Sequence, residues 1–129
     1  MINIVIDTNI LVSAALSPEG NPAKIIALLA ENIQIQIFCA SDILAEYDRV
    51  LSYEKLKISS AKKDRLINLI QKIGIFIKPP ASITPMPDES DRIFYDTAKA
   101  SGAVLITGNI KHYPVEPFIM SPTDFLLKL

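Results

Sequence analysis

The sequence predicts an α/β fold, specifically a three-layer α/β/α sandwich around a mostly parallel sheet of four or five strands. Short runs rich in β-branched residues alternate along the chain with segments of helical periodicity. Strands that alternate with helices form right-handed βαβ units, and helices then cover both faces of a parallel sheet. With 129 residues, half of them apolar, the chain can bury one hydrophobic core. We therefore expect a single domain over residues 1–129.

The first half of the chain contains two predicted strands, each followed by a helix. Pro22 favours the first position of a helix, and Ser41 is a residue that commonly caps one. The predicted elements are a strand at Ile2–Ile6, a helix at Asn21–Glu31, a strand at 33–38 and a helix at Ser41–Leu51.

The second half repeats the alternation after a proline-rich loop. Gly74 and Gly102 each mark the end of a helical segment. The predicted elements are a helix at Ser60–Ile73, a strand at 75–77, a loop at 79–87, a helix at 91–101, strands at 103–107 and 118–120, and a helix that begins at 121–124.

Composition excludes several classes of protein. The longest stretches without charge contain about 11 residues, whereas a membrane-spanning helix needs about 20. The N-terminus has no basic region before its first apolar run, so we expect no secretory signal, no membrane contact and a cytoplasmic location. One cysteine, Cys39, and one histidine, His112, cannot form a disulfide or an ordinary zinc site. Any bound metal must therefore be held by oxygen atoms.

The net charge of -1 conceals a basic segment between Arg49 and Lys78. This segment carries a charge of +6, against -7 for the rest of the chain. Such a segment is typical of a nucleic-acid contact, but it is equally typical of a solvated pair of helices.

Carboxylates follow or flank several predicted elements near one edge of the sheet, where ligands bind in parallel α/β folds. Asp7 ends a buried strand, where a carboxylate is costly unless it caps a helix, accepts hydrogen bonds or binds a cation. Glu46 borders the apolar stripe of its helix, and it is also placed to pair with Arg49 on the surface. Asp91 shares a helical face with apolar residues, although Asp88 or Ser90 next to it can cap the helix.

The convergence of Asp7, Glu46 and Asp91 is more informative than each residue alone. Three carboxylates in one cleft repel one another unless a cation neutralises them, and oxygen ligands favour Mg²⁺ or Mn²⁺. A site of this kind is typical of phosphodiester hydrolysis. An alternative is a phosphatase with Asp7 as the nucleophile, but such enzymes usually carry a second aspartate where this chain has Asn9.

Four motifs occur in a fixed order along the chain. They are Ile4-Val5-Ile6-Asp7-Thr8-Asn9, residues 41–46 ending in Glu46, Asp88-Glu89-Ser90-Asp91-Arg92-Ile93-Phe94, and Leu105-Ile106-Thr107-Gly108-Asn109. In this order they resemble the motifs of the PIN-domain family, and the resemblance extends over essentially the whole chain. The most similar members are small prokaryotic, VapC-like toxin components of toxin–antitoxin pairs.

The resemblance implies an endoribonuclease that depends on Mg²⁺ or Mn²⁺ and cuts single-stranded or loop RNA. It implies that Asp7, Glu46 and Asp91 are metal ligands, that Asn9 orients Asp7, and that Thr107 lies near the metal-bound water. The basic residues that would contact the RNA backbone are Lys55, Lys57, Lys62, Lys63 and Arg65. An antitoxin protein is the implied partner, together with the RNA substrate, and small relatives often form homodimers.

Two positions depart from the family pattern. Many relatives carry a fourth acid where this chain has Asn109, and a further acid near His112. Asn109 can coordinate a metal through its carbonyl or a water, but it adds no charge, so a second metal would bind more weakly. The alternative function is accordingly a PIN-like module with weakened catalysis that binds RNA or protein.

Overall fold

The computed structural model describes residues 1–31 and 34–129. Its elements in chain order are β1 (Ile2–Ile6), α1 (Thr8–Leu16), α2 (Asn21–Glu31), β2 (Ile35–Cys39), α3 (Ser41–Leu51), α4 (Ser60–Ile73), β3 (Ile75–Phe76), α5 (Arg92–Ser101), β4 (Val104–Ile106), β5 (Ile119–Met120) and α6 (Pro122–Leu127). Short 3-10 turns occupy Glu54–Leu56, Glu89–Asp91 and Ile110–His112. Among the described helices, none is both long enough and apolar enough to cross a membrane.

The five strands form a parallel sheet in the order β3-β2-β1-β4-β5. After β1 the chain builds the sheet outward through β2 to β3, and it then crosses back to place β4 on the other side of β1. The carboxyl ends of β1 and β4 therefore flank the point where the winding direction reverses, which is where parallel α/β folds bind ligands.

The core surrounds β1, the central strand. Ile4, Val5 and Ile6 are fully buried, and because successive strand residues point to opposite faces, both faces of β1 are covered. The helix α5 packs against β1, β2 and β4, whereas α2 packs against α1, α6 and β2. The predicted three-layer α/β/α class and its mostly parallel sheet are confirmed.

Several boundaries differ from the predicted ones. The helix α1 was not predicted, because its sequence, with no acid in the first turn and no base in the last, lacks a polar face that would reveal its period. The strand predicted over 33–38 is β2, which begins at Ile35; residue 33 lies outside the described residues. Ala40, not Ser41, holds the N-cap position of α3. The helix expected from Asp91 begins at Arg92, because Asp91 ends a 3-10 turn.

Candidate active site

A cleft of about 360 Å³ lies beside the carboxyl ends of β1 and β4. Polar residues from three parts of the chain form one portion of its lining: Asp7, Thr8, Asn9, Asp91, Asn109 and His112. Apolar, aromatic and basic side chains form the remainder: Val12, Val50, Tyr53, Lys55 and Leu56. The topology thus brings together residues separated by up to 105 positions along the chain.

Asp7 occupies the floor of this cleft and is only 6% exposed. It holds the N-cap position of α1, but its side chain makes no capping hydrogen bond. Its Oδ2 atom instead accepts hydrogen bonds from the Thr107 hydroxyl at 2.8 Å, the Tyr113 hydroxyl at 2.9 Å and the Asn9 amide at 3.4 Å. Hydrogen bonds of this kind compensate a buried carboxylate for its lost hydration.

Backbone groups after β4 hold two of these donors in position. The Gly108 amide donates to Asn9 Oδ1 at 3.0 Å, and the Asn109 amide donates to Thr107 Oγ1 at 3.0 Å. A side chain at Gly108 would place its Cβ 3.3 Å from Asn9 Oδ1, so glycine suits this close approach. Thr107 is fully buried, and its hydroxyl is engaged with Asp7 and the Asn109 amide.

Tyr113 is the site residue that sequence reasoning missed. It is 4% exposed, and its burial, followed by the negative charge of Asp7, raises the pKa of its hydroxyl far above the ordinary value. The phenol therefore remains a proton donor to Asp7. Nothing in the irregular loop around it signals a partner 106 positions earlier in the chain.

Glu46 lies on α3 and makes one contact considered from sequence, with Arg49, and one that was not, with Thr8. The Thr8 hydroxyl donates a hydrogen bond to its Oε2 atom, and Arg49 lies 3.7 Å from its Oε1 atom. On the same helix, the buried Tyr47 hydroxyl donates to the carbonyl of Ile6. Glu46 is thus anchored to the end of β1, next to Asp7.

Asp91 reaches the cleft from the turn that precedes α5. Asp88 caps this turn by accepting a hydrogen bond from the Ser90 amide at 3.0 Å. Asp91 itself holds the N-cap position of α5 without any capping bond. Its Oδ2 atom is buried and has no hydrogen-bond partner among residues 1–31 and 34–129, and it lies 3.8 Å from Nδ1 of His112.

The electrostatics of Asp91 follow from these surroundings. Burial, followed by the negative charges of Asp7, Asp88 and Glu46, raises the pKa of its carboxyl to about 6, although His112 opposes the rise. The ionised form of Asp91 thus lacks a sufficient positive partner within the protein. A cation or a proton would relieve this repulsion.

The donor chemistry of the three carboxylates fits a divalent cation. All are hard oxygen donors, and the unpaired Asp91 oxygen offers a free ligand atom. Across residues 1–31 and 34–129, however, no three His, Cys, Asp or Glu side chains form a compact group that could hold a metal ion. The charges of Asp7 and Glu46 act on Asp91, but within the described residues the three carboxylates do not come close enough together to form a complete metal site.

The basic residues expected to contact RNA are distributed over separate surfaces. Lys55 lines the cleft, and Lys57 lies on an exposed turn with a positive φ of 56°. Lys62 donates to the carbonyl of Ala15 and, with Arg65, lines a different pocket between α1, α2 and α4. Lys63 pairs with Asp48 at 3.1 Å.

The chain is similar to known proteins in sequence and in fold. The family model described as "PIN domain" matches residues 3–111. The uncharacterized protein MJ1680 of Methanocaldococcus jannaschii is 31% identical over 111 residues, which cover 84% of this chain and 71% of that protein.

Two solved structures share the fold at low sequence identity. The crystal structure of VapBC2 from Rickettsia felis, bound to a DNA fragment from their promoter, includes a similar chain with a TM-score of 0.57 and 20% identity, over 93% of this chain and 97% of that one. PAE2754 from Pyrobaculum aerophilum has a TM-score of 0.63 and 15% identity, over 98% of this chain and 88% of that one. The match to the family model over most of the sequence establishes that this chain belongs to the PIN domain family.

Proposed function

We propose that this chain is a metal-dependent endoribonuclease in which Asp7, Glu46 and Asp91 hold Mg²⁺ or Mn²⁺. PIN domains are generally nucleases, and the observation that carries the proposal is the state of Asp91. Among the described residues, the Asp91 Oδ2 atom is buried without a hydrogen-bond partner and lies in the field of negative charges on Asp7, Asp88 and Glu46, a setting that the positive charge of a divalent cation would match.

Several residues in and around the cleft have distinct roles in this proposal. The cation, when bound, lowers the pKa of water and stabilises charge on the attacked phosphate. Thr107 and Tyr113 orient Asp7 through the hydrogen bonds that their hydroxyls donate to its Oδ2 atom. Asn109 offers a neutral amide at the cleft wall, and no protein nucleophile is required.

Contact with the RNA backbone is assigned to the basic residues of the central segment. Lys55 lies in the cleft itself and is placed to bind a phosphate next to the carboxylates. The other basic residues proposed for this role are Lys57, Lys62, Lys63 and Arg65, which follow Lys55 in the sequence but lie on surfaces separate from the cleft lining. They would guide RNA by charge and carry no sequence information.

The proposed biological role is that of a toxin held inactive by an antitoxin protein in the cytoplasm. The similarity of fold to a chain in the VapBC2 complex supports this role. A homodimer of this chain is part of the same proposal. Copurification of the chain with the product of a neighbouring gene, followed by measurement of the mass of the complex, tests both partners.

Metal-dependent cleavage of RNA is the decisive test of the nuclease function. Purified chain is incubated with a pool of single-stranded and structured RNA in Mg²⁺, Mn²⁺ or EDTA. Asp7→Asn and Asp91→Asn should each reduce the rate by more than about a hundredfold, because each weakens binding of the cation that stabilises the transition state. Asp124→Asn, which removes an exposed acid on α6, is the matched control and should cleave normally.

Equal cleavage by wild type and Asp7→Asn would refute the assignment of the site. Copurifying nucleases would behave in this way, because they would be present in every preparation. Cleavage that persists in EDTA would refute the dependence on metal.

A second candidate is a binding module with weakened catalysis. Two observations favour it: an amide at Asn109 in place of an acid, and carboxylates that do not form a closed ligand set within the described residues. Calorimetric titration with Mn²⁺ separates the two candidates, because the module should bind no ion that depends on Asp7.

A further inference from the structure

The cleft has a second portion that the carboxylate chemistry does not use. Val12, Val50 and Leu56 contribute apolar surface to it, and Tyr53 contributes an aromatic ring. This portion comes from α1, the end of α3 and the 3-10 turn Glu54–Leu56. A purely catalytic pocket for a phosphate has no need of such a surface.

Tyr53 is the prominent side chain of this portion. It is 42% exposed, and the ammonium of Lys55 lies 5.9 Å from the centroid of its ring. Its backbone is fixed on both sides, since its amide donates to the carbonyl of Val50 and its carbonyl accepts from the amide of Leu56, both at 3.1 Å. The ring is therefore an exposed aromatic surface on a hydrogen-bonded backbone.

We propose that Tyr53 forms a nucleobase subsite, on which an unpaired base of single-stranded RNA stacks while the adjoining phosphate lies at the carboxylates. The subsite rests on the proposed nuclease function and specifies its substrate as an unpaired strand. Base stacking on aromatic rings is a general mode of single-strand recognition. Lys55 supplies the positive charge that the acidic portion of the cleft cannot offer to a phosphate.

The dimensions and chemistry of the cleft agree with one nucleotide. Its volume of about 360 Å³ falls near the lower end of the range for small-ligand sites, which extends from about 300 to 1,000 Å³. A ring has two faces, and Lys55 occupies only one of them. Because Val12, Val50 and Leu56 offer no side-chain hydrogen bonds, the subsite should accept any base with little discrimination.

Binding of a fluorescein-labelled oligouridylate and of its abasic analogue tests the subsite. Affinity is measured by anisotropy in Mn²⁺ with chains that carry Asp91→Asn, so that the RNA is not cut and the repulsion between carboxylates is reduced. Removing the base should weaken binding about tenfold when Tyr53 is present. Tyr53→Ala should weaken binding of the intact oligonucleotide by the same factor and leave binding of the abasic one unchanged.

Matched variants isolate stacking from other effects. Phe76→Ala removes another aromatic ring that is 42% exposed, but Phe76 lies on the edge strand β3 and outside the cleft, so binding should not change. Tyr53→Phe should bind as Tyr53 does, because it keeps the ring. Tyr53→Leu keeps an apolar side chain but removes the aromatic ring. It should lose the dependence on the base, and it serves if the alanine variant does not fold.

The outcomes separate the subsite from the nuclease function. If Tyr53→Ala weakens binding of both oligonucleotides equally, or of neither, there is no base subsite at Tyr53. Cleavage by the chain with Asp91 intact is measured in parallel on the intact oligonucleotide. Cleavage without base-dependent binding removes only the subsite, whereas base-dependent binding without cleavage retains the subsite and removes the nuclease.

Discussion

Asp7 and Asp91 face the same cleft, and both hold an N-cap position without capping a helix, yet the protein surrounds them differently. Asp7 Oδ2 accepts hydrogen bonds from Thr107, Tyr113 and Asn9. Asp91 Oδ2 is buried without a hydrogen-bond partner, and the pKa of its carboxyl is raised to about 6. The protein itself supplies hydrogen-bond donors to Asp7, whereas among the described residues it supplies none to Asp91 Oδ2.

The difference shows how one cleft can hold one carboxylate in a fixed position and leave the negative charge of another incompletely compensated. Three neutral donors fix the position of Asp7 whether or not anything is bound. Nothing equivalent supports the charge of Asp91, so its ionisation depends on what enters the cleft. Four substitutions test this contrast, and they follow in order of the effect expected on the property measured in each case.

Removal of one donor to Asp7 should have the largest effect. Tyr113→Phe deletes the hydroxyl that donates at 2.9 Å, and loss of a group that orients a metal ligand typically costs about 10- to 100-fold in metal affinity or activity. Mn²⁺ titration and the rate of RNA cleavage measure it. Tyr95→Phe, which deletes the buried donor to Glu116 instead, should retain both properties. Similar values for the two variants would show that Tyr113 only fills space.

Stability in the absence of metal should respond in opposite directions to the same chemical change at the two carboxylates. In EDTA at pH 7, Asp7→Asn should lower the free energy of unfolding by about 1 to 2 kcal/mol, because its hydrogen bonds lose the assistance of charge. Asp91→Asn should raise it by about 1 to 2 kcal/mol, because the substitution removes a mostly buried charge that only the exposed His112 partly offsets. Urea unfolding measures both changes.

The pH dependence of this gain follows from the raised pKa of Asp91. Its ordinary value is 3.8, and its value in the folded protein is about 6. Below pH 4 the Asp91 carboxyl is protonated in both the folded and the unfolded protein, and the stability that its raised pKa contributes is fully present. As the pH rises from 4 through 6, the unfolded state gives up this proton first, so the contribution to the free energy of unfolding is lost. The free energy of unfolding of Asp91→Asn should therefore exceed that of wild type by an amount that grows between pH 4 and pH 6 and is constant above pH 6. A difference independent of pH would contradict this account.

The smallest effect is expected at His112. Its charged form lowers the pKa of Asp91, but its side chain is 58% exposed and lies 3.8 Å away. His112→Gln should therefore raise the pKa of Asp91 and change the free energy of unfolding by less than about 0.5 kcal/mol. NMR titration of the Asp91 carboxyl in EDTA measures the shift, and a lower pKa in the variant would be inconsistent with the geometry of the pair.

Periodicity predicted most of the fold, and the exceptions have physical causes. The sheet and the five other helices have clear apolar patterns bounded by glycine, proline or capping residues. The first helix, α1, buries Thr8, Ile10, Leu11 and Ala15 in a sequence without acids or bases, so no alternation of polar and apolar faces marks it.

The candidate site was predictable only where the chemistry of one residue was conspicuous. Asp7 and Asp91 attracted attention because carboxylates are costly among apolar neighbours. Tyr113 did not, because a tyrosine in a loop carries no local sign of a partner 106 residues away. The basic segment misleads in the opposite way. Its charges follow one another in the sequence, but the fold divides them between the cleft, at Lys55, and a separate pocket, at Lys62.

The long separation between Asp7 and its hydroxyl donors also has a consequence during synthesis. Thr107 and Tyr113 follow Asp7 by 100 and 106 residues. At about 5 to 20 residues per second, a ribosome adds them roughly 5 to 20 s after Asp7. Until residue 113 has been added, the nascent chain holds Asp7 without two of its three donors. The hydrogen-bonded floor of the cleft is therefore completed only after the chain has been extended beyond Tyr113.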